Sequence, residues 1–323
     1  MKPAADTWAY RVSDLTLTSN VALPELPPGN GSQPQASFHL ASPAEPRPEA
    51  SDWFHRWTLP SGADWLAFAR HPSGYLLRFP DLGDFLVSTD GISVRCYPAA
   101  ETPIETIRHL FLDQVLPLVL SRLGRLVVHS SAVLTPAGAV AFVGSTGQGK
   151  STLALSFAQQ GFPFLADDCL LLEEQDGRLV AVPSYPGLRL WPETVSQVFE
   201  QSPALTQVAH YSGKQRLGPA SDLPFSLHPA PVARVYFLAE SSEASVNPVV
   251  TIEPLSPKEA LLSLVRYAYL LDMKDREVLR EKFDRLGRLA GMPLFYRLAY
   301  QREFTVLPQV RQAILHHLEE GKG

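Results

Sequence analysis

Cysteine is scarce in this chain: Cys96 and Cys169 are the only two among 323 residues. Two thiols make neither a disulfide scaffold nor a closed zinc site, so a reducing, cytoplasmic setting is expected. Long apolar runs are missing too. The longest stretches, 110–120 and 261–271, are interrupted by Asp113 and Arg266 and are too short to cross a bilayer. The stretch 1–10 holds no apolar segment of signal-peptide length. There is no basic excess, since 28 Lys and Arg stand against 33 Asp and Glu for a net charge of −5. Neither nucleic acid nor an anionic membrane is therefore expected as a partner. No internal repeat and no coiled-coil heptad is found.

What is present is material for a core. Hydrophobic residues make up 45% and charged residues 19%, which excludes disorder of the whole chain. The length suggests a small and a large domain, placed at 1–100 and 101–323. Pro24, Pro27, Pro28, Pro34, Pro43, Pro46 and Pro48 resist long helices in the first part. Short alternating runs at 65–68, 75–79, 85–87 and 92–97 read as strands of a β-rich N-terminal domain. Trp53, Trp57 and Trp65 read as part of its core. The stretch 102–120 reads as a helix, with Ile104, Ile107, Leu110, Phe111, Val115 and Leu118 at helical spacing. Strands follow at 127–134 and 139–143, then a helix at 151–160 stopped by Gly161. Further strands are expected at 164–165, 170–173, 179–182, 188–191 and 232–238. Ser256-Pro257-Lys258-Glu259 reads as a helix start, with Ser as N-cap, Pro at the first position and Glu at the third. Two more helices are expected at 275–290 and 308–319.

The strongest signal is Gly144-Ser145-Thr146-Gly147-Gln148-Gly149-Lys150-Ser151, which matches G-x-x-x-x-G-K-[ST]. It lies between an apolar strand and a helix, the setting such a loop requires. The glycines let the backbone turn tightly and aim N–H groups at phosphate oxygens. The helix adds the positive end of its dipole. Lys150 is expected at the β- and γ-phosphates, the Ser151 hydroxyl at Mg²⁺, and Thr152 beside them.

Sixteen residues beyond Ser151, Asp167 and Asp168 follow the apolar pair Phe164-Leu165. Adjacent carboxylates repel unless a cation offsets them. One can take the proton of an acceptor hydroxyl while the other holds a metal. Asp167 is expected as the base and Asp168 at the metal. On an extended segment their side chains point in opposite directions. Pairing of 127–134 with 139–143 would bring His129 near the start of the loop, to contact phosphate or orient an Asp. A hydrogen-bonded structural histidine is the alternative.

Together these residues resemble the catalytic domain of HPr kinase/phosphorylase. The matching run is His129-Ser130-Ser131-Ala132-Val133, the loop 144–151, Gly161 and Ala166-Asp167-Asp168. The resemblance covers about 126–172 and extends loosely to the C-terminus. It implies an α/β fold: a P-loop domain of the HPr kinase and ATP-type phosphoenolpyruvate carboxykinase kind, beside a smaller β-rich domain. It implies a kinase that uses ATP and Mg²⁺ to phosphorylate a serine hydroxyl, with His129, Asp167 and Asp168 functional. The chain departs from that family in its first hundred residues and after the Asp pair. There Pro183-Ser184-Tyr185-Pro186-Gly187-Leu188-Arg189-Leu190-Trp191-Pro192 replaces a glycine-rich signature. That run resembles HPr-kinase-like proteins of bacterial peptide-modification clusters, including lasso-peptide kinases. HPr as acceptor and the reverse phosphorylase activity are therefore not carried over.

Arg189, Lys214 and Arg216 are candidate phosphate or acceptor contacts, because cations stabilise a transferring phosphoryl group. The acceptor is expected to be a peptide or protein. A small-molecule kinase and a nucleotide-sensing module remain as alternatives, as do GTP or pyrophosphate as donor. The N-terminal domain is assigned acceptor recognition or assembly into a homo-oligomer.

Overall fold

The computed structural model describes residues 7–201, 203–218, 223–240 and 250–320. Two compact units form, Met1–Arg125 with Val208–Ser212, and Leu126–Gln207 with Gly213–Gly323. The chain is mixed α/β with several sheets. Among the described residues no helix is long and apolar enough to cross a membrane.

The first unit is built on one eight-stranded sheet. Its strands are β1 (Trp8–Val12), β2 (Leu15–Ser19), β3 (Ala36–Leu40), β4 (Asp52–Thr58), β5 (Asp64–His71), β6 (Gly74–Phe79), β7 (Gly83–Ser88) and β8 (Ser93–Pro98), in the order β1-β2-β3-β8-β7-β6-β5-β4. A helical stretch follows as α1 (Ile104–His109), a π-helical turn (Leu110–Val115) and α2 (Leu116–Arg122). This stretch belongs to the first unit, so the unit boundary falls at Arg125 and not at residue 100. The reason is packing: Phe111 stacks on Phe38 of β3 at 3.9 Å and 10°. Each such fully buried aromatic contributes roughly 2–3 kcal/mol. The three tryptophans differ from the core reading. Trp53 and Trp57 lie on the edge strand β4, Trp65 on β5, and none is fully buried.

The second unit carries the loop. Its elements are β9 (Leu126–Val128), β10 (Ser130–Thr135), β11 (Gly138–Val143), α3 (Lys150–Ala158), β12 (Phe164–Ala166), β13 (Leu170–Gln175), β14 (Arg178–Val182), β15 (Leu188–Leu190), α4 (Pro192–Val198), β16 (Leu205–Gln207), β17 (Gln215–Leu217), β18 (Ala230–Leu238), β19 (Val250–Pro254), α5 (Pro257–Tyr267), α6 (Arg276–Ala290), β20 (Phe295–Tyr300) and α7 (Leu307–Glu320). The main sheet runs β12-β10-β11-β18-β14-β13-β9, with β20 also parallel to β18 and β19 paired to β20. A small sheet is ordered β15-β17-β16.

Period-two alternation divides the core of this unit into two layers. On β11, Val140 and Phe142 face the side packed by α3 and α7, including Leu153, Phe157, Val310 and Ile314. Ala139, Ala141 and Val143 face the other side, packed by α5 and α6 through Leu264, Leu286 and Leu289. Helices on both faces thus hold β11 rigidly, and β11 delivers the loop. The turn into β11 requires glycine. Gly138 has φ 124°, and a Cβ there would lie 2.5 Å from the Pro231 carbonyl oxygen of β18.

Candidate active site

The expected strand 127–134 is interrupted at His129. β9 pairs with β13, whereas β10 pairs with β11 and β12. The backbone at the break is held by the end of α5 and the residues after it: His129 N–H donates to the Tyr267 carbonyl, and Tyr269 N–H to the Val127 carbonyl, each at 2.9 Å. The two partial strands each find their own neighbours, and the histidine between them is left at the end of the sheet. Ser130 pairs with Val143, the last residue before the loop, so His129 lies beside the loop's origin.

Within the loop, Gly147 and Gly149 have φ of 82° and 84°, the left-handed region that glycine enters without strain. The Ser145 N–H donates to Gln148 Oε1 at 2.8 Å, and Lys150 Nζ to the Ser145 carbonyl at 3.0 Å. Gly149 is the N-cap of α3 and no side chain caps the helix. The first-turn N–H groups are therefore left for an anion. Lys150 is buried. Burial lowers its pKa, with Lys214 and Arg189 acting in the same direction and the two Asp residues opposing.

The acidic pair is not extended. Cys169 N–H donates to the Asp167 carbonyl at 2.8 Å, and Asp168 has φ 60°, so the chain makes a three-residue turn. Both carboxylates consequently reach the Arg189 guanidinium, Asp167 at 3.6 Å and Asp168 at 3.3 Å, instead of pointing apart. Arg189 also donates to the Asp167 carbonyl at 2.7 Å. The side chain of Asp167 is 0% exposed. Its Oδ1 accepts from Ser151 Oγ at 2.7 Å and Ser131 Oγ at 2.6 Å, and its Oδ2 from the Arg189 N–H at 3.0 Å. Asp168 is 21% exposed and pairs with His129 Nε2 at 3.1 Å. Burial alone would push the Asp168 carboxyl up. Arg189, the His129 hydrogen bond and charge, and Lys214 outweigh it and hold Asp168 well below the usual carboxylate range.

These groups surround one cavity of about 160 Å³, lined by His129, the loop and first helical turn at 146–147 and 149–152, Asp168, the run 189–191, Thr194 and Lys214. Asp167 does not line it; Ser151 and Asp168 do. Of the three further basic candidates, Arg189 and Lys214 line it and Arg216 does not. Arg216 is buried on β17, in register opposite Arg189 of β15. Four neighbours escaped the sequence reading. Ser131 holds Asp167. Tyr269 donates to the Asp168 carbonyl at 3.2 Å. Tyr267 meets Ser145 Oγ at 3.4 Å. The Trp191 ring centroid sits 5.5 Å from Lys214 Nζ. Both tyrosines end or follow an apolar helix and carry no local signal of a site. Among the described residues no group of three or more His, Cys, Asp or Glu is placed to hold a metal by itself.

No protein-family model matches this chain, and no curated protein matches it. Solved structures resemble it, among them the Hpr(Ser) kinase/phosphatase from Coxiella burnetii. That likeness is 14% identical, covers 50% of this chain and 96% of the other, and has a TM-score of 0.28. A likeness at that score is weak, and the geometry of the site itself carries the functional reading.

Proposed function

We propose that this chain is an ATP- and magnesium-dependent kinase that transfers a γ-phosphoryl group to a serine-type hydroxyl of a peptide or protein. The observation that carries the reading is the Asp167 carboxylate, fully buried and held by Ser151 of the loop, next to a cavity-facing Asp168 paired with His129.

The loop 144–151 cradles the donor phosphates, and Lys150 places its charge on the outer two. The Ser151 hydroxyl and the Asp167 carboxylate, 2.7 Å apart, are an oxygen-only donor set that fits a hard divalent cation sharing its shell with phosphate. When bound, magnesium supplies charge neutralisation at the transferring group. We assign the proton-accepting role to Asp168, because it lines the cavity and Asp167 does not. Asp168 stays ionised at neutral pH and orients the acceptor hydroxyl, taking its proton as the new P–O bond forms. His129 positions that carboxylate, Arg189 fixes both carboxylates, and Lys214 adds positive charge at the rim. In a loose transition state such positioning and charge stabilisation account for most of the rate. Trp191, 47% exposed at the cavity's edge, leaves that side open, which favours a peptide or protein over an enclosed metabolite.

The test is γ-labelled ATP with Mg²⁺ and a host-cell extract, sorted into protein, peptide and small-molecule fractions. Lys150→Ala and Asp168→Asn are run beside wild type. Label in the peptide or protein fraction with wild type, absent with Lys150→Ala and reduced by about 100-fold or more in Asp168→Asn, is the expected result. No label in any fraction, with ATP binding intact and lost only in Lys150→Ala, would refute transfer and leave a nucleotide-binding module.

A further inference from the structure

A second recess opens beside the same loop. Gly147, Gly149 and Thr152 line it as they line the phosphate cavity. Its remaining walls come from the end of β20 and the approach to α7: Tyr300, Arg302, Glu303, Phe304 and Leu307. Its volume is about 150 Å³.

The two recesses differ in chemistry. The first is charged, with Lys150, Arg189, Lys214 and Asp168 around it. The second presents the rings of Tyr300 and Phe304 and the Leu307 side chain, with polar groups at its edge. Phe304 is 37% exposed, an aromatic face beside a glycine loop. The hydroxyl of Tyr300 lies 3.4 Å from where a Cβ on Gly149 would sit, so it stands directly against the loop. Burial pushes that phenol up to about 12, which keeps it a hydrogen-bond donor at any physiological pH. Arg302 is tied to the Ala239 carbonyl, which fixes the segment that carries Phe304. A ligand spanning both recesses across Gly147 and Gly149 has a polyanionic end and a flat, aromatic end with a polar edge.

We propose that this second recess takes the nucleobase of the phosphoryl donor, so that the donor is a nucleoside triphosphate and not pyrophosphate. The inference rests on the kinase reading for the word donor; the binding claim stands apart from it. Phe304 supplies the stacking face, and the Tyr300 hydroxyl and Glu303 carboxylate offer a donor and an acceptor to the base edge. Loss of one base-stacking aromatic weakens nucleotide binding by on the order of ten-fold or more.

The experiment compares two probes on the full chain, ATP and inorganic tripolyphosphate, each with Mg²⁺ and titrated calorimetrically. Wild type is expected to bind ATP at least about ten-fold more tightly than tripolyphosphate. Phe304→Ala is expected to remove that advantage while leaving tripolyphosphate affinity unchanged, which also shows that the variant is folded. Phe304→Trp is expected to restore it. Equal affinities for the two probes in wild type would overturn the proposal, and so would an equal loss of both in Phe304→Ala. Failure of transfer with base-dependent binding intact would count against the kinase alone. Transfer from pyrophosphate at a rate matching ATP would count against the base recess alone.

Discussion

Replacing Arg189 with Met tests how the acidic pair is held. The guanidinium is 3% exposed and stands 3.3 Å from Asp168 and 3.6 Å from Asp167. At those distances each pair is worth about 5 kcal/mol before desolvation, taking an effective dielectric of ~20. Desolvation of all three groups offsets much of that. Removing the cation alone leaves two adjacent carboxylates without their central charge partner, a change that costs about 3–5 kcal/mol. For a unit of this size that lowers Tm by on the order of 10 °C. The pH dependence has a fixed sign. The Asp168 carboxyl is held below its unfolded value, about 3.9. Its contribution in wild type is therefore present above about pH 3.9 and is lost as pH falls through its lower folded value. In Arg189→Met, burial pushes the same carboxyl the other way, and protonation relieves the strain as pH falls. The gap in Tm between wild type and variant is thus expected to be widest near pH 7 and to shrink toward about pH 4. Scanning calorimetry across that range is the assay. A variant within about 2 °C of wild type at pH 7, or a gap that does not change with pH, would refute the reasoning.

Two further substitutions probe the scaffold. Gly138→Ala sets a Cβ against the Pro231 carbonyl at a positive φ and is expected to cost about 3 kcal/mol, read as a lowered urea midpoint with unchanged slope. Ser256→Ala removes the capping box in which Ser256 Oγ accepts from the Glu259 N–H and Glu259 Oε2 accepts from the Ser256 N–H at 2.9 Å; its expected cost is about 1 kcal/mol, seen in the same assay.

Where one local pattern had one structural outcome, the sequence was readable. The alternating runs of β5 to β8, the Ser256 cap and the helix from Arg276 to Ala290 carry their own periodicity and caps. The strand, loop and helix from Gly138 to Ala158 read correctly because glycine spacing and apolar flanks agree. The run 127–134 did not. Its apolar character is continuous, and only the change of partner from β13 to β11 and β12 shows that it is two strands. β3 was hidden between Pro34 and Pro43, and the short runs of β1, β2 and β4 on either side of the proline-rich stretch were not read as strands. The candidate site was half legible. Spacing singles out His129, Asp167, Asp168 and the loop, which the fold brings together, but the turn that brings both carboxylates to Arg189 depends on the positive φ of Asp168, which no neighbouring residue type demands. Arg189 sits 22 residues from Asp167 in the chain and reaches it through the small sheet of β15, β17 and β16. Only tertiary structure makes that contact.

Calorimetric titration of a non-hydrolysable ATP analogue with and without Mg²⁺ tests the proposal that the loop and Asp167 together hold a magnesium-bound triphosphate. Wild type is expected to bind much more tightly with Mg²⁺. Lys150→Ala is expected to lose binding in both conditions, and Ser151→Ala to keep the magnesium-free affinity while losing the gain from the ion. Binding that ignores Mg²⁺ in wild type, or that survives in Lys150→Ala, would overturn a magnesium-bound triphosphate on this loop.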